Sequence, residues 1–160
     1  MSTEPSLVRL ATAADLAPMA RMAAELVRFH HALDAARFML ARGVEEGYRG
    51  WFARELEQKD AILLVADEGD RLAGYCYGRV EGRDWNMLLD RHAALHDVYV
   101  DHEARTRGTG ERLITAFLAR AKELGAPRVV LSTATQNAGA QRLFARLGFR
   151  PTMIEMTREL

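Results

Sequence analysis

The segment His96-Asp-Val-Tyr-Val100, a short loop, then Arg105-Thr-Arg-Gly-Thr-Gly110 entering an amphipathic run constrains this chain most. An extended apolar stretch, a glycine turn and a helix in that order leave main-chain amides without partners at the helix start. Those amides and the helix dipole together make an anion site of phosphate size. Gly108 and Gly110 carry no Cβ, so a diphosphate can approach the main chain, and Arg105 and Arg107 add positive charge. No Gly-Lys-Ser/Thr follows, and the spacing Gly-x-Gly-x-x-Gly is absent, so neither of the two common nucleotide-binding turns applies.

The elements around this turn can be placed from periodicity. Leu7 to Leu10 reads as a short strand with Pro5 at its entry, and Thr12 to Asp15 as a capping signal. Leu16, Met19, Ala20, Met22, Ala23, Leu26, Val27 and His30 then form one helical stripe, with Pro18 early enough to cost little. A second helix is expected from Glu45 to Gln58. Ala61 to Ala66 and Arg71 to Val80 form a hairpin around Asp67-Glu-Gly-Asp70, followed by a polar loop from Gly82 to Asp90 and a strand from Ala94 to Val100. A helix from Thr109 to Leu124 ends at Gly125 and Pro127. Strand Arg128 to Ser132, helix Asn137 to Leu147 with Gly148 as its stop, and a last strand from Pro151 to Thr157 complete the order. That order predicts mixed α/β architecture, one sheet with helices on both faces, in a single domain over residues 1–160.

Composition removes several function classes. Lys plus Arg and Asp plus Glu stand at 22 each, so no global field favours nucleic acid or an anionic membrane. No apolar stretch approaches the roughly 20 residues that span a bilayer. Glu4 and Pro5 stand where a signal peptide would carry basic residues, and a cytoplasmic location is expected. Cys76 is the only cysteine, which excludes an intrachain disulfide and a cysteine-rich metal site; it reads as a small buried side chain. His30 and His31 diverge by about 100 degrees on a helix and cannot chelate together, so no metal is expected.

Two motifs carry a resemblance. Arg105-x-x-Gly108-x-Gly110 resembles the (Arg or Gln)-x-x-Gly-x-(Gly or Ala) signature of the GNAT superfamily of N-acetyltransferases. Asn137-Ala-Gly-Ala140, Phe144 and Gly148-Phe149 are similar to that family's second coenzyme segment, Asn-x-x-Ala-x-x-x-Tyr-x-x-x-Gly-Phe. With the element order, the resemblance covers nearly the whole chain. It implies a largely antiparallel central sheet with a splayed fourth strand, and acetyl-coenzyme A as cosubstrate. It implies that amides of Arg105, Thr106, Arg107, Gly108, Thr109 and Gly110 cradle the pyrophosphate. The backbone of Val98 and Val100 would bond the pantetheine amides, Asn137 the pantetheine arm or acyl region, and Arg142 the 3′-phosphate. Asn137 also fits a helix cap. A small-molecule amine as acceptor and a homodimer are implied as well.

The chemistry departs from the family pattern at one position. The family often uses a Tyr seven residues after the motif Asn to protonate the leaving thiolate; here Phe144 stands there. Coenzyme A then leaves as a thiolate, or another donor such as Tyr99 or water serves. For the base, His96 and Asp97 lie on the strand that feeds the acetyl site. In a regular strand they face opposite sides, and Asp97 shares a face with Tyr99. His30, His31 and Asp34 fall in the region that forms part of the family's acceptor pocket, which Trp51, Phe52 and Trp85 could line. Acidic residues Glu45, Glu46, Asp84 and Asp97 favour a cationic amine. Transfer to a protein N-terminus or lysine, a coenzyme-binding sensor without turnover, and an unrelated nucleotide-binding α/β protein are the alternatives.

Overall fold

A computed structural model describes residues 6–160. The expected placements of Glu4 and Pro5 lie outside the described residues. Strands β1 (Leu7–Leu10), β2 (Ala61–Asp67), β3 (Leu72–Glu81), β4 (His92–Val100) and β5 (Val129–Leu131) form one sheet in the order β1-β2-β3-β4-β5. The first three pairings are antiparallel and β4–β5 is parallel. Helices α1 (Leu16–Leu33) and α2 (Val44–Leu56) cover one face; α3 (Thr109–Glu123) and α4 (Ala138–Arg146) cover the other.

Two apolar clusters hold these layers. On the α1–α2 side Met19, Met22 and Phe52 pack against Leu63, Val65, Tyr75 and Tyr77. On the α3–α4 side Leu113, Ile114, Phe117 and Ala121 pack against Ile62, Leu64, Cys76 and Leu95. β2 and β3 contribute to both clusters, which is why their sequences are continuously apolar rather than alternating. Close approach requires glycine at Gly78: a Cβ there would stand 2.6 Å from the Phe117 ring.

The expected capping signal before α1 is a capping box between Thr12 and Asp15. The Asp15 carboxylate accepts from the Thr12 amide at 2.7 Å and from the Thr12 hydroxyl at 3.0 Å. It also accepts two hydrogen bonds from the Arg9 guanidinium, which donates a third to Asp67 across the β1–β2 pair. These bonds hold the Asp15 carboxyl below its usual range.

The expected last strand, Pro151 to Thr157, does not form. Residues 150–160 carry no regular structure and are exposed, including Met153, Ile154 and Met156. β5 is short, three residues, and keeps a free outer edge, yet residues 150–160 pair with no strand among the described residues. Trp85 and Met87 are exposed in the loop after β3, where Asp84 accepts the amides of Asn86 and Met87 and so closes its own turn. Of the two aromatics in α2 that could line a pocket, Phe52 is core and Trp51 lies at the surface.

Candidate active site

The parallel pairing of β4 with β5 is short. Ala93, Ala94 and Leu95 face Val129, Val130 and Leu131, and beyond Leu95 β4 has no β5 partner. From Asp97 to Val100, β4 pairs only with β3. The Asp101 amide donates to the Ala73 carbonyl of β3 at 2.8 Å. By the two-residue alternation of an antiparallel ladder, the main-chain groups of Val98 and Val100 then point away from β3, into the opened gap. The Val100 carbonyl there accepts from Arg105 Nε at 3.0 Å. A gap lined by unpaired strand groups is suited to an extended amide-bearing ligand.

The gap leads to the glycine turn. Gly108 stands at the N-cap of α3 with φ +74°, and Thr106 is left-handed as well, at φ +67°. Among the described residues, the amides from Thr106 to Glu111 find no acceptor; the Arg112 amide is the first to bond back, to the Gly108 carbonyl at 3.0 Å. The Thr109 side chain is buried and accepts from Arg112 at 3.2 Å. Gly110 lies where α3 meets α4, since a Cβ there would stand 3.2 Å from the Leu143 side chain. Arg112 donates to the Arg107 carbonyl at 2.9 Å and to Ser6, bracing the turn from behind. Arg107 itself is exposed and approaches Glu68 only to 3.8 Å. The turn thus presents a row of amides and an exposed cation toward solvent, which is what a diphosphate requires.

The second motif packs beside this turn. Asn137 caps α4, its side-chain oxygen accepting the Ala140 amide at 3.2 Å. Leu143, Phe144 and Leu147 lean on the α3-side cluster, Phe144 in an edge contact with Phe149, while Arg142 is exposed. Tyr99, the alternative proton donor, packs on the opposite side, stacked near Tyr75 with ring centroids 6.5 Å apart.

The two candidate bases do not face opposite sides, as a regular strand would have them do. Leu95 faces Gly78 and Asp97 faces Tyr77, so His96 is the extra residue of a β-bulge. Leu95 belongs to the α3-side cluster, and regular alternation would place Asp97 there too. The bulge shifts the phase by one. Asp97 instead accepts a hydrogen bond from the Tyr75 hydroxyl at 3.1 Å on the α1–α2 side, and the His96 ring stacks on Tyr77 on that same side. Both side chains therefore lie on the α1–α2 side of the sheet.

Burial raises the Asp97 carboxyl above its usual range; the Tyr75 hydrogen bond and the nearby imidazoles of His96 and His30 act against that rise. His30 donates Nδ1–H to the Leu26 carbonyl at 2.9 Å, and His31 turns away to the Phe38 carbonyl at 2.8 Å. Burial also pushes the Tyr48 phenol up, to about 12, with the Asp97 charge adding to the shift. Tyr48 and Tyr75 beside Asp97, and Glu81, whose carboxylate stands 3.0 Å from His96 Nε2, are neighbours that sequence reasoning did not single out. Only a knowledge of the strand register would have drawn attention to them. Cys76 is wholly buried, and burial drives its thiol pKa far up, so it is no nucleophile.

A separate cleft of about 660 Å³ lies between the start of α1 and the β2–β3 turn, lined by Arg9, Arg21, Glu25, Arg71, Tyr99 and Asp101 among others. Of the sequence-derived site residues only Tyr99 borders it. Its cations are largely paired, Arg9 with Asp15 and Asp67, Arg71 with Glu68, Asp101 and Glu103. No group of three His, Cys, Asp or Glu side chains arranged to hold a metal occurs among the described residues. No helix among them is long and apolar enough to cross a membrane.

A bulged strand that loses its β5 partner and leads to a row of unpaired amides defines the candidate site, and comparison with known proteins gives its family. The sequence profile of the acetyltransferase (GNAT) family matches residues 26–149, and the chain belongs to that family. An L-methionine sulfoximine/L-methionine sulfone acetyltransferase of Pseudomonas paraeruginosa is 32% identical over 103 residues, 63% of this chain and 57% of that protein. The D-amino-acid N-acetyltransferase HPA3 of Saccharomyces cerevisiae is 38% identical over 90 residues, 56% of this chain and 54% of the relative. The chain thus spans a little over half the length of these two curated relatives. Among solved structures, a mutant form of the BH1408 protein from Bacillus halodurans superposes with a TM-score of 0.82 at 19% identity, covering 96% of this chain and 99% of that one.

Proposed function

We propose that the protein transfers the acetyl group of acetyl-coenzyme A directly to the primary amine of a small molecule of amino-acid size. The observation that carries this reading is the gap where β4 leaves β5, running from the bulge at His96–Asp97 to the unpaired amides of Thr106–Glu111. The pyrophosphate lies against those amides, with Arg105 and Arg107 supplying charge. Val98 and Val100 bond the pantetheine arm through the main chain, with Asn137 and Phe144 on its other side, and Arg142 meets the 3′-phosphate. The names of the relatives support an amino-acid-like acceptor.

Direct attack is favoured because the only cysteine is buried and its thiol is held protonated. The acceptor ammonium must lose a proton before its nitrogen can attack the thioester carbonyl. His96 and Asp97, brought to one side by the bulge, are the groups placed for this. Burial keeps the Tyr99 phenol protonated, so it can donate to the departing thiolate. Phe144 supports a second reading, a coenzyme-binding domain without turnover. Purified protein incubated with acetyl-coenzyme A and a panel of amino acids and small amines, with free thiol followed, decides between them. Thiol release that depends on one class of amine is expected. Tight coenzyme binding without release across the panel would sink the enzymatic reading.

A further inference from the structure

We propose that Glu81, at the end of β3, is a positioning residue that fixes His96 as the proton acceptor of this reaction. The proposal rests on the reading of the gap as an N-acetyltransferase centre. The bulge leaves the His96 side chain half exposed and free of the strand's regular packing. Two contacts restore its orientation. One face of the imidazole stacks on Tyr77, with centroids 5.5 Å apart and planes 27° from parallel. Its Nε2 stands 3.0 Å from Glu81 Oε1. Tyr77 is itself anchored, its hydroxyl donating to Glu55 of α2 at 2.8 Å and its ring resting on Phe52.

A carboxylate only accepts, so the bond to Glu81 places the imidazole hydrogen on Nε2. The lone pair is then on Nδ1, the ring's other nitrogen. The same carboxylate stabilises the imidazolium formed when Nδ1 takes a proton, and holds the ring still while it does so. The other charged groups around the pair are few. The second Glu81 oxygen lies 3.6 Å from His92 Nε2, whose Nδ1 is bonded to the Asp90 carbonyl. Asp97 follows in the chain, and behind Tyr77 the Glu55 carboxylate is paired with Arg79.

The step balances without further reagents. The acceptor ammonium gives one proton to His96 Nδ1, which passes it to solvent. The free amine forms a C–N bond to the acetyl carbon as the C–S bond breaks. The departing thiolate takes its proton from the Tyr99 phenol and leaves as coenzyme A thiol, and the second amine proton restores that phenol.

The test compares Glu81→Leu, Glu81→Asp and wild-type protein by steady-state kinetics and by long-range proton–nitrogen spectra of the His96 ring. Replacement by Leu is expected to lower kcat about 10- to 100-fold, with KM for acetyl-coenzyme A unchanged, and Asp to restore part of the loss. The His96 ring should change from the Nε2–H tautomer to a mixture. A Leu variant with full kcat and an unchanged tautomer overturns the role of Glu81 alone. Full activity in His96→Ala removes His96 as the acceptor while leaving the acetyltransferase reading intact. Wild-type protein that binds coenzyme but acylates no amine overturns that reading, and this proposal with it.

Discussion

Asp97 shows how one residue's chemistry can depend on a neighbour's backbone. Were β4 regular through His96, the Asp97 carboxylate would enter the apolar α3-side cluster beside Leu95. With the bulge it meets the Tyr75 hydroxyl, and the imidazoles of His30 and His96 are near enough to influence it. Its carboxyl is raised above the usual range chiefly by burial, so ionising it at neutral pH works against the fold. Asp97→Asn is therefore expected to lower kcat/KM at least about tenfold while leaving the thermal midpoint unchanged or higher. Parallel amine-acetylation assays and thermal melts check both halves. A stabilised, fully active variant would remove Asp97 from the chemistry. The residue types at this site were legible in the sequence. Their shared side was not, because a bulge is a register event between two strands and leaves no local signal.

At the scale of elements, most of the fold followed from periodicity and stop signals, since Gly125 and Gly148 end helices at φ +77° and φ +86° as their places in the sequence suggested. The glycine turn also follows from local chemistry. At Gly108 an Ala must hold a left-handed conformation, costing about 1–2 kcal/mol. Its Cβ would also stand 3.3 Å from an Arg112 nitrogen. Gly108→Ala should weaken coenzyme binding several-fold, measurable by calorimetric titration, because the strain falls on the row of amides. The element boundary before α1 gives a second prediction. Arg9 holds the Asp15 carboxyl low, so this interaction stabilises the fold above the ordinary carboxylate range and is lost as pH falls through the depressed native value. Asp15→Asn should cost about 1–2 kcal/mol near neutral pH, part of it screened because Arg9 is partly exposed. The gap from wild type should close in melts under strongly acid conditions. The failed strand after Pro151 marks the limit of such reasoning: Met153, Ile154 and Met156 have the composition of a strand, but pairing is a tertiary event that composition does not decide.

For the molecule as a whole, the gap, the turn and α4 are arranged so that a single ligand would touch β4, α3 and α4 at once. Acetyl-coenzyme A should accordingly raise the melting temperature in a concentration-dependent way, by the equivalent of about 2.7 kcal/mol at a hundred times Kd. ATP at equal concentration should give a smaller shift; a larger one would contradict the proposed ligand. The sequence by itself determined the layered α/β architecture, the left-handed glycine turn before α3 and the Asn137 cap of α4. These depend on residue spacing and on which positions lack a Cβ, and both are local properties. Only the tertiary structure decided that β4 loses its β5 pairing after Leu95, that His96 and Asp97 lie on one side of the sheet, and that Glu81 and Tyr75 hydrogen-bond to them. Those facts depend on how strands register against one another, and register is set by the packing of both sheet faces together.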